Sequence, residues 1–391
     1  MDAPYRLTAL EAAAGVVLGA ESLARVPSLD ARTPREALER TVRAALARPP
    51  CLVSFSGGRD SSAVLALAAH VARRESLAEP VPVTVRFSAS ARSVEADWQE
   101  KVVAHIGLRD WTRIEISDEL ECLGPVAVSA LRRHGLLWPP NAHFHVPLLE
   151  AAAGGTLLTG IGGDELLGAS RWGRATAGIA GRARFEPRDA LRIGLALAPV
   201  PLRRAVLRAR RPLAFPWLRP SARRAVAAAL ARDAAGEPLS RTARVAWLLR
   251  LRAFRAGVAS VAVLAADAGA HVAHPLAEPA FATALARLPR SRAGHARTDA
   301  MRVLVGDLLP DDVLSRSGKA RFGQAAWGAR SRAFAARWSG EGADPELIDV
   351  AALRRAWPAA EHDGRLLLVL QSVWLGSGGE ESEEELERRI E

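Results

Sequence analysis

Cysteine is almost missing from this chain, and so is lysine. Cys51 and Cys122 stand alone in 391 residues, with no spacing for a disulfide framework or a zinc site. That argues against a small secreted scaffold held by staples and fits a reducing, cytoplasmic location. The only lysines are Lys101 and Lys319, so nearly all of the basic charge is arginine. Aromatic residues make up 5%. The arginines are spread along helix-like stretches and are not massed with aromatics in a block, so the formal net charge of +10 is read as a solvated surface and a positive field for phosphates. No nucleic-acid partner is expected. Long apolar runs are missing too. Ala12 to Ala20 is bracketed by Glu11 and Glu21 and does not read as a secretory signal. Val258 to Ala266 falls far short of the ~20 residues that cross a bilayer and reads as a buried helix. No membrane association is expected.

What is present is a chain with 49% hydrophobic residues, enough for one large core or two moderate ones. Residues 1–48 read as a helical lead-in, with Thr33 capping a helix that starts at Pro34. Strands are predicted at Cys51–Phe55, Val81–Phe87 and Trp111–Ile116, and a fourth begins at Thr156–Leu158. Helices are predicted at Ser61–Arg74, Val94–Ile106, Asp118–His134 and Val146–Ala153. Strands alternating with helices imply an α/β domain over residues 49–170, with a parallel sheet and helices on both faces. Residues 171–376 read as a mainly helical lobe that completes one active site, and residues 377–391 as an acidic tail.

The strongest local signal is Ser54-Phe55-Ser56-Gly57-Gly58-Arg59-Asp60-Ser61-Ser62, between a predicted strand and a predicted helix. Glycines let backbone approach a ligand, and a helix N-terminus offers unpaired N–H groups to an anion. The loop lacks the glycine-lysine-serine ending of a Walker loop. It matches the pyrophosphatase-loop signature, in which ATP is cut between its α and β phosphates. A second loop, Thr159 to Gly168, carries Gly162-Gly163-Asp164-Glu165 after the fourth strand. Asp60 and Asp164 would each offer a carboxylate oxygen to magnesium, which prefers such ligands.

Together the loops resemble the synthetase domain of the asparagine synthetase family, which includes β-lactam synthetases and lasso-peptide cyclases. Three later segments share the resemblance. They are His274-Pro275-Leu276 with Phe281, the run from Leu309-Pro310 through Arg316, Lys319, Arg321 and Phe322, and Leu366–Leu375 with Trp374. The resemblance implies that Ser56, Gly57, Gly58, Asp60, Ser61 and Ser62 hold ATP phosphates. It also implies that Phe55, Phe87, Thr159 and Gly160 flank adenosine, that Asp60 and Asp164 bind Mg2+, and that Lys319 neutralises charge on the phosphates or the intermediate. The implied reaction is adenylation of a carboxylate and transfer of the acyl group to an amine or ammonia, as in asparagine biosynthesis or macrolactam formation. The substrates would be small-molecule or peptide carboxylates and amines.

One position departs from the pattern. Ile161 stands where glutamine-dependent members have a glutamate, so no side chain there exchanges protons with an amine. Asp2 follows Met1, and about fifty residues precede the phosphate loop, short of the ~100 of a usual domain. An N-terminal glutaminase domain is therefore not expected. Nitrogen would come from ammonia, from a separate glutaminase subunit, or from the substrate itself, and a peptide-delivery subunit is a further candidate partner. Two other readings share the first loop, a sulfur-transfer or RNA-modifying enzyme and a non-catalytic ATP-binding homologue. The cluster Asn141, His143 and His145 is open to three readings: local packing, a pocket lining or a metal site. Glu95, Asp97 and Glu100 read as a solvated helix face with a weaker claim on the nucleotide.

Overall fold

The sheet is built by the predicted alternation. A computed structural model describes residues 5–21, 33–87, 94–168, 170–179, 186–209, 214–288, 297–316 and 323–379. Five strands run parallel in the order β3-β2-β1-β4-β5. They are β1 (Cys51–Ser54), β2 (Val81–Phe87), β3 (Thr112–Ile116), β4 (Thr156–Leu158) and β5 (His271–Ala273). β1 is flanked by β2, with Leu52 opposite Val81, and by β4, with Leu52 opposite Leu157.

Side chains alternate across each strand. Val53 and Leu158 face a core shared with the helices Pro34–Leu46, Arg59–Glu75 and Pro279–Arg287. Leu52, Val83 and Leu157 face the opposite core, which includes Leu148, Leu149, Val261 and Leu264 from the helices Val146–Ala151 and Arg252–Asp267. Burial on both faces explains why these strands read as short apolar runs. The fold is thus α/β, a parallel sheet with helices on both faces and extensive helical structure beyond.

Two local expectations shift. β5 was not foreseen. It is a 3-residue strand, stopped by Pro275 one residue beyond His274, and too short for a period to show. Its pairing is tertiary: Thr159 N donates to Ala273 O at 3.1 Å, and His271 N to Gly155 O at 2.9 Å. The helix expected over Asp118–His134 covers only Pro125–His134. Glu121, fully buried, instead accepts from the backbone N–H groups of Arg330 (3.1 Å) and Ser331 (2.9 Å), at the start of the helix Ala329–Arg337. Capping that helix overrides the local helical preference.

The C-terminal helices form a separate core with Trp217, Trp327, Trp338, Trp357 and Trp374. It is tied to the rim of the sheet by Gln371, whose Nε2 donates to Cys122 O (3.2 Å) and Pro140 O (3.1 Å). Within the region 171–376, Pro187 and Pro220 begin helices instead of breaking them. The acidic stretch 380–391 lies outside the described residues. Among the described residues no helix is long and apolar enough to cross a membrane.

Candidate active site

Strand order reverses at β1. β2 and β3 lie on one side of it, and β4 and β5 on the other. In open parallel sheets, ligands bind beyond the carboxyl ends of the strands at such a switch point. Both predicted loops leave the sheet there, one from β1 and one from β4.

The first loop is shaped by its serines. Gly57 has φ 76, a conformation open to glycine. Gly58 then caps the helix Arg59–Glu75 without a side-chain cap bond. The first-turn N–H groups are therefore not taken by a capping side chain. Ser61 Oγ donates to Gly58 O (3.1 Å) and accepts from Ser56 N (3.3 Å), closing the turn. Ser56 Oγ lies 3.2 Å from it. Ser62 is fully buried. Two residues without an assigned role in the sequence reading brace the loop from outside. Gln99 Nε2 donates to Ser56 O at 3.2 Å, and Arg316 Nη1 to Gly57 O at 3.0 Å. Gln99 had no signal beyond its place on the helix Val94–Ile106.

The second loop is packed onto the first. Gly160 lies against Asp60 and Ser61. At Gly163 a Cβ would come within 2.3 to 2.6 Å of the Asp60 carboxyl group. Any side chain there would displace that carboxylate. Asp60 and Asp164 are then joined through one guanidinium. Arg297 Nη2 contacts Asp60 Oδ2, and its Nη1 lies 2.5 Å from Asp164 Oδ1. Burial raises the Asp60 pKa, and the bond from Arg297 opposes that shift. Asp60 Oδ1 is buried with no hydrogen-bond partner. The sequence did not single out Arg297, one arginine among many.

The Phe55 ring is 1% exposed and packs edge-on against Trp111 at 6.1 Å. Its ring is thus part of the core, and its carbonyl accepts from Thr84 Oγ1 at 2.7 Å. Phe87 is half-buried and its ring centroid lies 6.0 Å from that of Phe144. Thr159 is buried, with Oγ1 2.6 Å from His274 Nδ1. Its Oγ1 also accepts from Ile161 N at 3.2 Å. Lys319 lies outside the described residues. His143 Nε2 donates to Leu120 O (2.9 Å), and His145 Nδ1 is 3.1 Å from Ala142 O. Each ring is thus held by a backbone carbonyl. No group of three or more metal-ligating side chains occurs among the described residues. Cys51 and Cys122 are free and buried.

Two interlocked loops at the switch point of a parallel sheet coincide with a family match. The family described as asparagine synthase matches residues 33–376. The chain belongs to the asparagine synthase family. At that level it is an ATP-dependent, amide-forming ligase, and members of the asparagine synthase family bind ATP. Both loops, Arg297 and Lys319 lie inside the matched span. Among curated proteins none matches the chain.

Proposed function

We propose that this asparagine synthase family member uses ATP to adenylate a carboxylate, releases pyrophosphate, and passes the acyl group to an amine carried by the substrate itself. The observation that supports it best is the convergence of Asp60 and Asp164 from two loops at the switch point.

Ser56, Gly57, Gly58, Ser61 and Ser62 would cradle the phosphates through backbone N–H groups and hydroxyls. Thr159 and Gly160 would border the adenosine, with Phe87 at the end of β2, while the Phe55 ring, packed in the core, would support the loop from beneath. Magnesium fits this site. Both carboxylates are hard oxygen donors, the pair already holds a cationic group, and Asp60 keeps a buried oxygen without a partner. Asp60 and Asp164 would hold the ion, which would supply charge neutralisation at the departing pyrophosphate. Lys319 would add a positive charge to the same end.

In the first step an oxygen of the substrate carboxylate forms a bond to the α-phosphorus as the bond to the bridging oxygen of pyrophosphate breaks. The loop N–H groups hold the leaving group in line. In the second step an amine nitrogen attacks the acyl carbon, and AMP leaves with the mixed-anhydride oxygen. Position 161 bears on the amine. Ile161 packs beside the apolar cluster of Ala142, Leu148 and Val261. It offers neither a base nor a hydrogen-bond acceptor. An amine tethered to the substrate needs less help in positioning than free ammonia. A macrolactam-forming or other intramolecular amide synthesis follows, on small-molecule or peptide substrates. A glutaminase or peptide-delivery subunit is a candidate partner.

Exchange of labelled pyrophosphate into ATP, scored across a panel of amino-acid and peptide carboxylates, tests this. Exchange that depends on substrates bearing both a carboxylate and an amine is expected, with little asparagine formed from aspartate and ammonium chloride. Substantial asparagine would reject the tethered amine and leave a plain ammonia-dependent synthetase. No exchange with any carboxylate would reject adenylation.

A further inference from the structure

Arg297 begins the helix Arg297–Val305, far along the chain from both loops, yet its guanidinium sits between their carboxylates. The contact is unlike a structural ion pair. A fork-on-fork pair places both nitrogens on one carboxylate. Here the fork is divided, one nitrogen to Asp60 Oδ2 and the other to Asp164 Oδ1. Asp60 thereby keeps Oδ1 buried and unpartnered, and Arg297 keeps Nε buried and unpartnered. Both partners retain hydrogen-bonding capacity that a purely structural bridge would use up. The Arg297 side chain is 17% exposed and that of Asp60 16%, whereas that of Asp164 is 51% exposed. Water therefore screens the Asp60 contact less than the Asp164 contact.

Two like charges brought together in a partly buried site raise each other's free energy. A single positive group between them relieves that. A divalent cation placed between them would relieve it more strongly, and would need the same oxygens.

We propose that Arg297 is the resting counter-cation of the site. It holds Asp60 and Asp164 together until a divalent ion arrives with the nucleotide, and it competes with that ion for their oxygens. This rests on reading Asp60 and Asp164 as the metal carboxylates. Its consequence is coupling. Metal alone must break two charge-assisted contacts and leave a partly buried guanidinium without an anion. Metal that arrives with ATP brings phosphates as a replacement partner. The arrangement would discourage metal binding without nucleotide.

The test is titration of Mn2+ into the full chain without nucleotide, followed by the paramagnetic resonance of the free ion. In R297Q the dissociation constant for Mn2+ should fall at least about tenfold relative to wild type, because the competing charge is gone. R297K retains a charge but cannot fork across both carboxylates, so it should tighten Mn2+ by a smaller factor. Thermal unfolding with excess chelator and with Mn2+ gives a second reading. The rise in Tm caused by Mn2+ should be larger in R297Q than in wild type. Unchanged or weaker Mn2+ binding in R297Q would overturn the proposal, and if R297Q does not fold, the same result in R297K would do so. The titration needs no turnover. If wild type lacked pyrophosphate exchange while R297Q bound Mn2+ more tightly, the proposed reaction would fall and the role of Arg297 would stand.

Discussion

Asp60→Asn and Asp164→Asn each lower pyrophosphate exchange by on the order of 10²-fold or more, with far-ultraviolet circular dichroism unchanged. The size follows from where the charges sit. Asp60 stands in the first turn of the helix after β1 and Asp164 in the short helix Gly163–Leu166 after β4, both outside the strand ladders and the apolar cores. Asparagine keeps the shape and loses the charge. Neither loop should collapse, because the turn around Gly58 is closed by Ser61 and Ser56, and the helix that carries Asp60 is packed through Ala63, Val64 and Leu67. Stability should shift in a graded way. Asp164 is about half exposed, so losing its contact with Arg297 costs little. Asp60 is more enclosed, so Asp60→Asn should be the less stable of the two. Near-normal exchange in either variant would mean that the carboxylate in question does not serve the leaving pyrophosphate.

Acidification is expected to destabilise the protein well above the pH at which ordinary carboxylates titrate. Burial pushes both His143 and His274 down to about 4. His145 is lowered as well, first by burial. An unfolded histidine titrates near ~6.5. Between these values the unfolded chain binds protons that the folded chain excludes. Stability is therefore full above the unfolded pKa and falls as pH drops through 6.5 towards 4. Between pH 7 and pH 5 each of the two rings should cost about 2 kcal/mol, so the pair costs about 4 kcal/mol. Burial keeps both rings neutral: the bond from His143 Nε2 to Leu120 O favours protonation but is outweighed by desolvation, and His274 is desolvated beside Thr159. Urea unfolding at pH 7 and pH 5 measures the difference, and His274→Gln should remove about half of it. A midpoint that does not move between those pH values would show that neither ring is held neutral.

Much of this architecture was legible before any coordinates. The alternation in Val81–Phe87 marks a strand because Val81, Val83 and Val85 share one apolar face, and the short apolar run Cys51–Phe55 marks one because β1 is buried on both faces. The serine-glycine-glycine-arginine-aspartate-serine-serine run shows its function locally, since a phosphate loop needs its glycines, hydroxyls and helix start consecutive in the chain. The parts that stayed hidden are those set by distance. β5 is defined by its partner β4 and by no pattern of its own. Glu121 leaves its expected helix for a backbone more than two hundred residues away. Arg297 meets Asp60 across a separation of 237 residues, and in an arginine-rich chain nothing local distinguishes it. Lysine is rare enough for Lys319 to stand out, yet Lys319 lies outside the described residues. Its role rests on the sequence resemblance alone.

The direction in which ATP is cut tests the central claim most directly. The chain is incubated with ATP, magnesium and a carboxylate that supports exchange, and the nucleotide and phosphate products are separated by ion exchange and counted. A phosphate loop without a Walker lysine, opposed by two carboxylates from neighbouring loops, predicts AMP and pyrophosphate in equal amounts, one of each per amide formed. ADP and inorganic phosphate as the stoichiometric products would contradict it.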